Sequence, residues 1–191
     1  MAKQIWKPTT IVSPVPPVMV SCGSMDKSNI ITIAWTGTIN TTPAMTYISV
    51  KKERYSYNII KNSGEFVINL TTSELVRACD YCGVKSGAKV DKFTVMGLEK
   101  EKMPNVSCPA IKNSPINIEC RVVNEIELGS HNMFLANVLS VSVDETLLDK
   151  NGKLRLDKAS LVAYSHGEYF ELGKKLGTFG FTVKKAPSKR K

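Results

Sequence analysis

Asn29-Ile30-Ile31-Thr32-Ile33-Ala34-Trp35-Thr36-Gly37-Thr38 carries four β-branched residues in succession, Ile30 to Ile33, up to an indole. Side chains branched at Cβ are stiff and fit a pleated strand better than a helix, so the stretch predicts a strand over Asn29 to Trp35. Thr36-Gly37-Thr38 then breaks the regularity. At such a break Gly37 permits close approach of a flat ligand, and exposed amides can hydrogen-bond ring carbonyls. Trp35 suits the edge or face of such a ring. The residues leave a second reading open, in which Trp35 is core and Gly37 marks a bulge.

Working outward, Pro14, Pro16 and Pro17 delay the preceding strand until Val18-Met19-Val20-Ser21-Cys22. Met45 to Val50 predicts a further strand. Tyr57, Ile60 and Lys61 share one face of a helix that Gly64 is placed to cap. Glu65 to Leu70 returns to strand, and Thr71 and Glu74 stand at capping-box spacing before a helix reaching about Cys82. Residues 83–115 read as one irregular excursion, of the kind that often carries function. Ile116 to Leu128 and Asn132 to Val143 form a long hairpin around Gly129-Ser130. Asn151-Gly152 is a turn, and a last strand, Leu161 to Ser165, is closed by His166-Gly167. Strands separated by turns, with about two helices inserted, predict a mainly β protein with peripheral α elements. A Greek-key-like antiparallel barrel best removes exposed strand edges.

The 191 residues fit one domain, expected over 1–183, followed by a basic tail at 184–191. The net charge of +9 invites a nucleic-acid reading, but the tail supplies five of those charges, leaving +4 for the rest (9 − 5). A basic terminus is better read as solvated, so no nucleic-acid partner is expected. No run of eighteen apolar residues occurs, so no membrane span is expected. The start lacks an apolar signal segment, and five cysteines cannot all pair within one chain; a cytoplasmic location is expected. Neither G-x-G-x-x-G after a strand nor a P-loop is present, so a nucleotide must be held another way.

Lys51-Lys52-Glu53-Arg54-Tyr55-Ser56 precedes the first predicted helix. A helix start presents unpaired N–H groups to a phosphate, Arg54 adds a forked charge-assisted contact and Ser56 a hydroxyl. A solvated cap with scattered cations is the equal alternative. Cys79-x-x-Cys82 suggests a thiol pair or half a zinc site, yet no second pair completes a metal shell, and no metal is expected. Ser86, Lys89 and Lys92, in a loop broken by glycines, suit an anionic cofactor. His131 and His166 lack neighbours arranged for a hydrolytic triad.

Taken in order, Asn29…Ala34-Trp35-Thr36-Gly37, Lys52-Glu53-Arg54-Tyr55-Ser56, Ser63-Gly64-Glu65-Phe66-Val67-Ile68-Asn69-Leu70, Cys79-Asp80-Tyr81-Cys82-Gly83, Ser86-Gly87…Asp91-Lys92-Phe93 and Gly167-Glu168-Tyr169…Leu172-Gly173 resemble the flavin-reductase-like, FMN-binding split-barrel family, and within it the flavoredoxins. The resemblance implies a split β-barrel homodimer with one non-covalent FMN per subunit, near the interface. It implies that Asn29, Ala34, Trp35, Thr36 and Gly37 line the ring. Arg54 and Ser56 hold the phosphate, with Ser49 and Val50 on the approach. Lys92 and His131 flank the flavin, with Lys92 near N1 and C2=O, and Tyr164 adds an aromatic; relatives with Phe there and Thr in place of Ser56 keep similar chemistry. The function implied is an oxidoreductase or electron carrier, passing electrons to or from a redox protein. The variant reading is a flavin reductase using NADH or NADPH. A basic nucleic-acid module and a barrel for haem or another flat ligand are the readings from other classes.

Overall fold

In the computed structural model, which describes residues 1–183, the quoted stretch forms a strand, stops for Ala34 and Trp35 alone, and resumes as a second strand. The basic tail expected at 184–191 lies outside the described residues. In chain order the elements are β1 Val18–Gly23, β2 Ser28–Ile33, β3 Thr36–Thr41, β4 Ala44–Val50, α1 Tyr55–Ser63, β5 Glu65–Leu70, α2 Val76–Val84 and α3 Lys92–Val95. There follow two short strands, β6 Lys100–Glu101 and β7 Ala110–Ile111, the long pair β8 Ile116–Glu127 and β9 Asn132–Val143, and a hairpin, β10 Val162–Ser165 and β11 Glu168–Glu171.

Seven strands pair antiparallel in the order β2-β1-β5-β8-β9-β4-β3. The two edge strands are consecutive in the chain. Laid flat, seven strands would put those edges roughly 29 Å apart, at about 4.8 Å per step. The two-residue link holds the Cα atoms of Ile33 and Thr36 within about 11 Å. The sheet must therefore curl until β2 and β3 approach, and they do so without pairing, which makes a split barrel and not a closed one. Register shifts between Glu119 and Cys120, between Val122 and Asn124, and between Thr38 and Asn40 add the local bends that such curling needs.

Burial follows from this shape. Val18, Val20 and Cys22 of β1 face a core with Ile31, Ile48, Ile60, Phe66 and Phe134. Met19 points the other way and packs with Ile30, Ala78, Cys79, Cys82 and Phe93 under α2 and α3. A strand covered on both faces needs a continuous apolar run, which is what Val18 to Val20 supplies. Asn69 then ties the long excursion to the sheet. Its amide donates to Met19 O at 2.9 Å and Ser21 Oγ at 3.1 Å, and its oxygen accepts from Ile111 N at 2.9 Å and Asn117 Nδ2 at 2.8 Å.

Two local expectations are corrected. Thr36-Gly37-Thr38 does not open the backbone: it belongs to β3, with Gly37 opposite Tyr47 and its carbonyl accepting from Thr46 Oγ1 at 2.9 Å. The capping box at Thr71 and Glu74 is not made. Extended Thr72 leads instead into a 3-10 turn, Ser73–Leu75, with no side-chain cap bond, before α2 begins. Gly64, by contrast, caps α1 in the left-handed region at φ 67°, its N–H reaching Ile60 O at 2.8 Å. No helix among the described residues is long and apolar enough to cross a membrane.

Replacing Asn69 with Ala leaves the buried Ile111 N–H without its acceptor and takes from Asn117 Nδ2 one of its two acceptors. We expect a loss of about 2–4 kcal/mol in unfolding free energy, measured by urea denaturation. A loss within experimental error of zero would show that the excursion is held by other contacts.

Candidate functional site

The open seam of the sheet is where side chains of different elements converge. One cleft, of about 410 Å³, is lined by β2 and its link from Ile31 to Trp35, by Ser49 and Val50 of β4, by Lys51, Glu53 and Arg54 of the loop that follows, and by His131. An edge strand leaves alternate N–H and C=O groups without strand partners, so β2 offers this cleft a row of backbone donors and acceptors. Trp35 is 42% exposed, and its ring lies 4.6 Å from that of His131 at a 44° tilt. Its carbonyl accepts from Ser49 N at 3.0 Å, which fixes the link against β4.

A second hollow, of about 160 Å³, adjoins the first through Ile31, Glu53 and Arg54 and is further lined by Asn29, Tyr55, Ser56, Lys85, Ser86, Gly87 and Lys92. Three cations against one carboxylate make it an anion site. The start of α1 reinforces this: Arg54 in extended conformation precedes it, no acid occupies its first turn, and no side chain caps it. Lys92 is only 3% exposed, and its ammonium donates to Ile30 O at 2.6 Å and Cys82 O at 2.7 Å. An ammonium has three donors, so one remains. Burial, with nearby Arg54 adding repulsion, brings its pKa down to about 8.

The two cations also secure α2. Arg54 donates to Gly83 O and Lys92 to Cys82 O, two carbonyls at the C-terminal end of α2, while Thr32 Oγ1 donates to Cys79 O in its middle. A Cβ on Gly83 would sit 3.2 Å from Thr32 Cβ, which explains why a glycine stands where helix and strand approach.

The structure therefore divides the residues expected to hold the cofactor among adjoining clefts. Ala34, Trp35, Ser49, Val50 and His131 line the first cleft. Asn29, Ser56, Ser86 and Lys92 line the second, with Arg54 in both. Asn29 and Lys92, expected beside the ring, line the cationic hollow with Ser56. Thr36 and Tyr164 line a third cleft, of about 680 Å³, which shares Ala34, Trp35 and Ser49 with the first and adds Tyr47, Met133 and His166. Gly37 lines none of these clefts. Lys85, Gly87 and Glu53 went unread as site residues. Their only signal was proximity to Ser86 and Arg54 in the chain.

Cys79 and Cys82 are buried under α2, and all five cysteines are free. Burial pushes Cys79 upward and Cys82 to about 11, so neither is a thiolate at neutral pH, and the pair serves as packing. No cluster of three or more metal-ligating side chains occurs among the described residues.

The split barrel is a fold found among flavin reductase-like proteins. The Flavin reductase like domain matches residues 12–173, and the chain belongs to that family. A protein of Archaeoglobus fulgidus is 32% identical over 146 residues, which is 76% of this chain and 81% of that one. Flavoredoxin of Desulfovibrio vulgaris (Miyazaki F) superposes with a TM-score of 0.88 at 29% identity, covering 96% of this chain and all of its own. Flavoredoxin from Methanosarcina acetivorans gives 0.87 at 27%, covering 96% and 98%.

His131 is held below the usual histidine range by burial first and then by Lys51, while Glu53 opposes the shift. NMR titration of the imidazole should show its pKa rising in Lys51→Gln and falling further in Glu53→Gln. Movement in the opposite sense would mean that these side chains do not face the ring.

Proposed function

We propose that the protein binds FMN non-covalently and works as an oxidoreductase or electron carrier. The observation that supports this most is the continuity of an aromatic cleft with a buried cationic hollow through Arg54. The donors present suit a phosphate monoester: the Arg54 guanidinium, the Ser56 and Ser86 hydroxyls, the spare Lys92 N–H and the first turn of α1. Trp35, Ala34, Ser49, Val50 and His131 suit the ring, with the open edge of β2 to bond its polar rim. FMN, when bound, supplies hydride and single-electron chemistry that no side chain here could perform alone.

The residues have separable tasks. Trp35, tilted against His131, gives the ring an apolar flank. His131, which burial holds below the usual histidine range, is biased toward its neutral form. Lys92 and Arg54 neutralise the phosphate. The cleft holding Thr36, Tyr47, Met133 and Tyr164 lies beyond Trp35 and is the place for a second reactant, NADH, NADPH or the exposed group of a redox protein.

The purified protein should be yellow and release flavin on denaturation; a colourless chain that takes up no added FMN ends this reading. Arg54→Ala should weaken FMN at least tenfold and riboflavin little, since a charge-assisted bond is worth about 1.5–3 kcal/mol. FMN affinity should also fall as pH rises through about 8, because phosphate favours the ammonium form of Lys92 and binding then takes up a proton. Lys92→Gln should remove that dependence. Fluorescence titration of both flavins from pH 6 to 10 measures all three effects.

A homodimer belongs to the same proposal. Ile39, Val123, Ile126, Leu128 and Val141 are exposed on and beside the sheet, as are Leu176, Phe179 and Phe181 near the end of the described chain. Sedimentation should give twice the monomer mass. A monomer at micromolar concentration would remove this part alone.

A further inference from the structure

The cationic hollow holds one polar pair whose chemistry reaches past the binding contacts. Asn29 is 4% exposed and Ser56 1%, and Asn29 Nδ2 donates to Ser56 Oγ at 2.7 Å. An amide N–H has nothing to accept with, so the serine oxygen is the acceptor and its own proton must go elsewhere. Cys22 is the neighbouring alternative. Its thiol is pushed up to about 12, chiefly by burial, so it stays neutral, and its S–H is directed at Asn29 O at 3.8 Å. A neutral sulfur is a poor acceptor beside a phosphate oxygen. Gly87 completes the arrangement, because a Cβ there would lie 2.0 Å from Asn29 Oδ1.

We propose that Asn29 is a positioning residue for phosphate recognition: it holds Ser56 with the hydroxyl proton turned into the hollow, and Gly87 makes room for it to do so. The proposal rests on the FMN reading. It gives Asn29 no direct contact with the ring or the phosphate. It assigns to a strand residue the orientation of a hydroxyl on α1, and it gives the loop glycine a role in cofactor choice. Riboflavin, which lacks the phosphate, should be indifferent to both.

Dissociation constants of FMN and riboflavin, measured by flavin fluorescence for the wild type, Asn29→Ala, Ser56→Ala and the double variant, test this. Each single change should lower the preference for FMN over riboflavin about tenfold. The double variant should fall no further than Ser56→Ala alone, since Asn29 acts only through Ser56. Gly87→Ala should reproduce Asn29→Ala. Should Asn29→Ala unsettle the loop, Asn29→Asp keeps the shape but can only accept, and it should lower the preference at least as much. Losses that multiply in the double variant, or an Asn29→Ala loss equal for both flavins, overturn the proposal while leaving FMN binding in place. A wild type that binds neither flavin overturns the cofactor reading and this proposal with it.

Discussion

Joining the two edges of a seven-stranded sheet by only Ala34 and Trp35 imposes a closure that hydrogen bonding does not complete. Everything at the seam follows from that shortage of chain. The strands must curl, yet β2 and β3 have no ladder between them, so a gap with unpaired backbone groups is built into the barrel wall. The link residue with the largest side chain stands at the mouth of that gap. Ser49 N, bonded to the carbonyl of Trp35, prevents the link from swinging away from β4. The indole, packed on one side against His131, stays partly exposed at the link, and that exposure makes it available to a ligand.

The second half of the site depends on parts of the chain far from the seam in sequence. Residues 85–92 reach it because Asn69 and Asn117 tie the excursion to the sheet near Ile111, while Asp91 starts α3 by accepting from Phe93 N and Thr94 N. α3 then buries Phe93 beside Cys79 and Cys82 and delivers Lys92 to the carbonyls of β2 and α2. A buried polar network of this kind gives the excursion one position, whereas apolar contacts alone would tolerate several.

Much of this was legible beforehand and some was not, for physical reasons. The hairpin of β8 and β9 declared itself through two long β-rich runs around Gly129-Ser130, and α1 through its apolar face and Gly64. β3 was missed because Thr36-Gly37-Thr38 has no apolar pattern: all but its first residue are at least partly exposed, and its strand character comes from β4 alongside. Within the site, Arg54 and Ser56 were legible because a cation and a hydroxyl at a helix start have a recognisable use. The burial of Lys92 and the partner of Asn29 were not. Lys92, like Ser86, reads from its glycine-broken loop as suited to an anionic cofactor, but its burial depends on carbonyls from two distant elements. Asn29 reads as a strand residue with either face open, and its partner on α1 becomes adjacent only after the sheet has curled.

The bonds from Arg54 and Lys92 to the end of α2 bear on how tightly any anion can be kept. Helix carbonyls there carry part of the negative end of the helix dipole and already hold these donors. An arriving phosphate does not find a bare guanidinium; it must share one with, or take it from, Gly83 O. A guanidinium has five N–H donors, so the bond to Gly83 O leaves others for the anion. The helix thus keeps two like charges together at the hollow. An anion taken up there would meet cations whose places are already set by the helix.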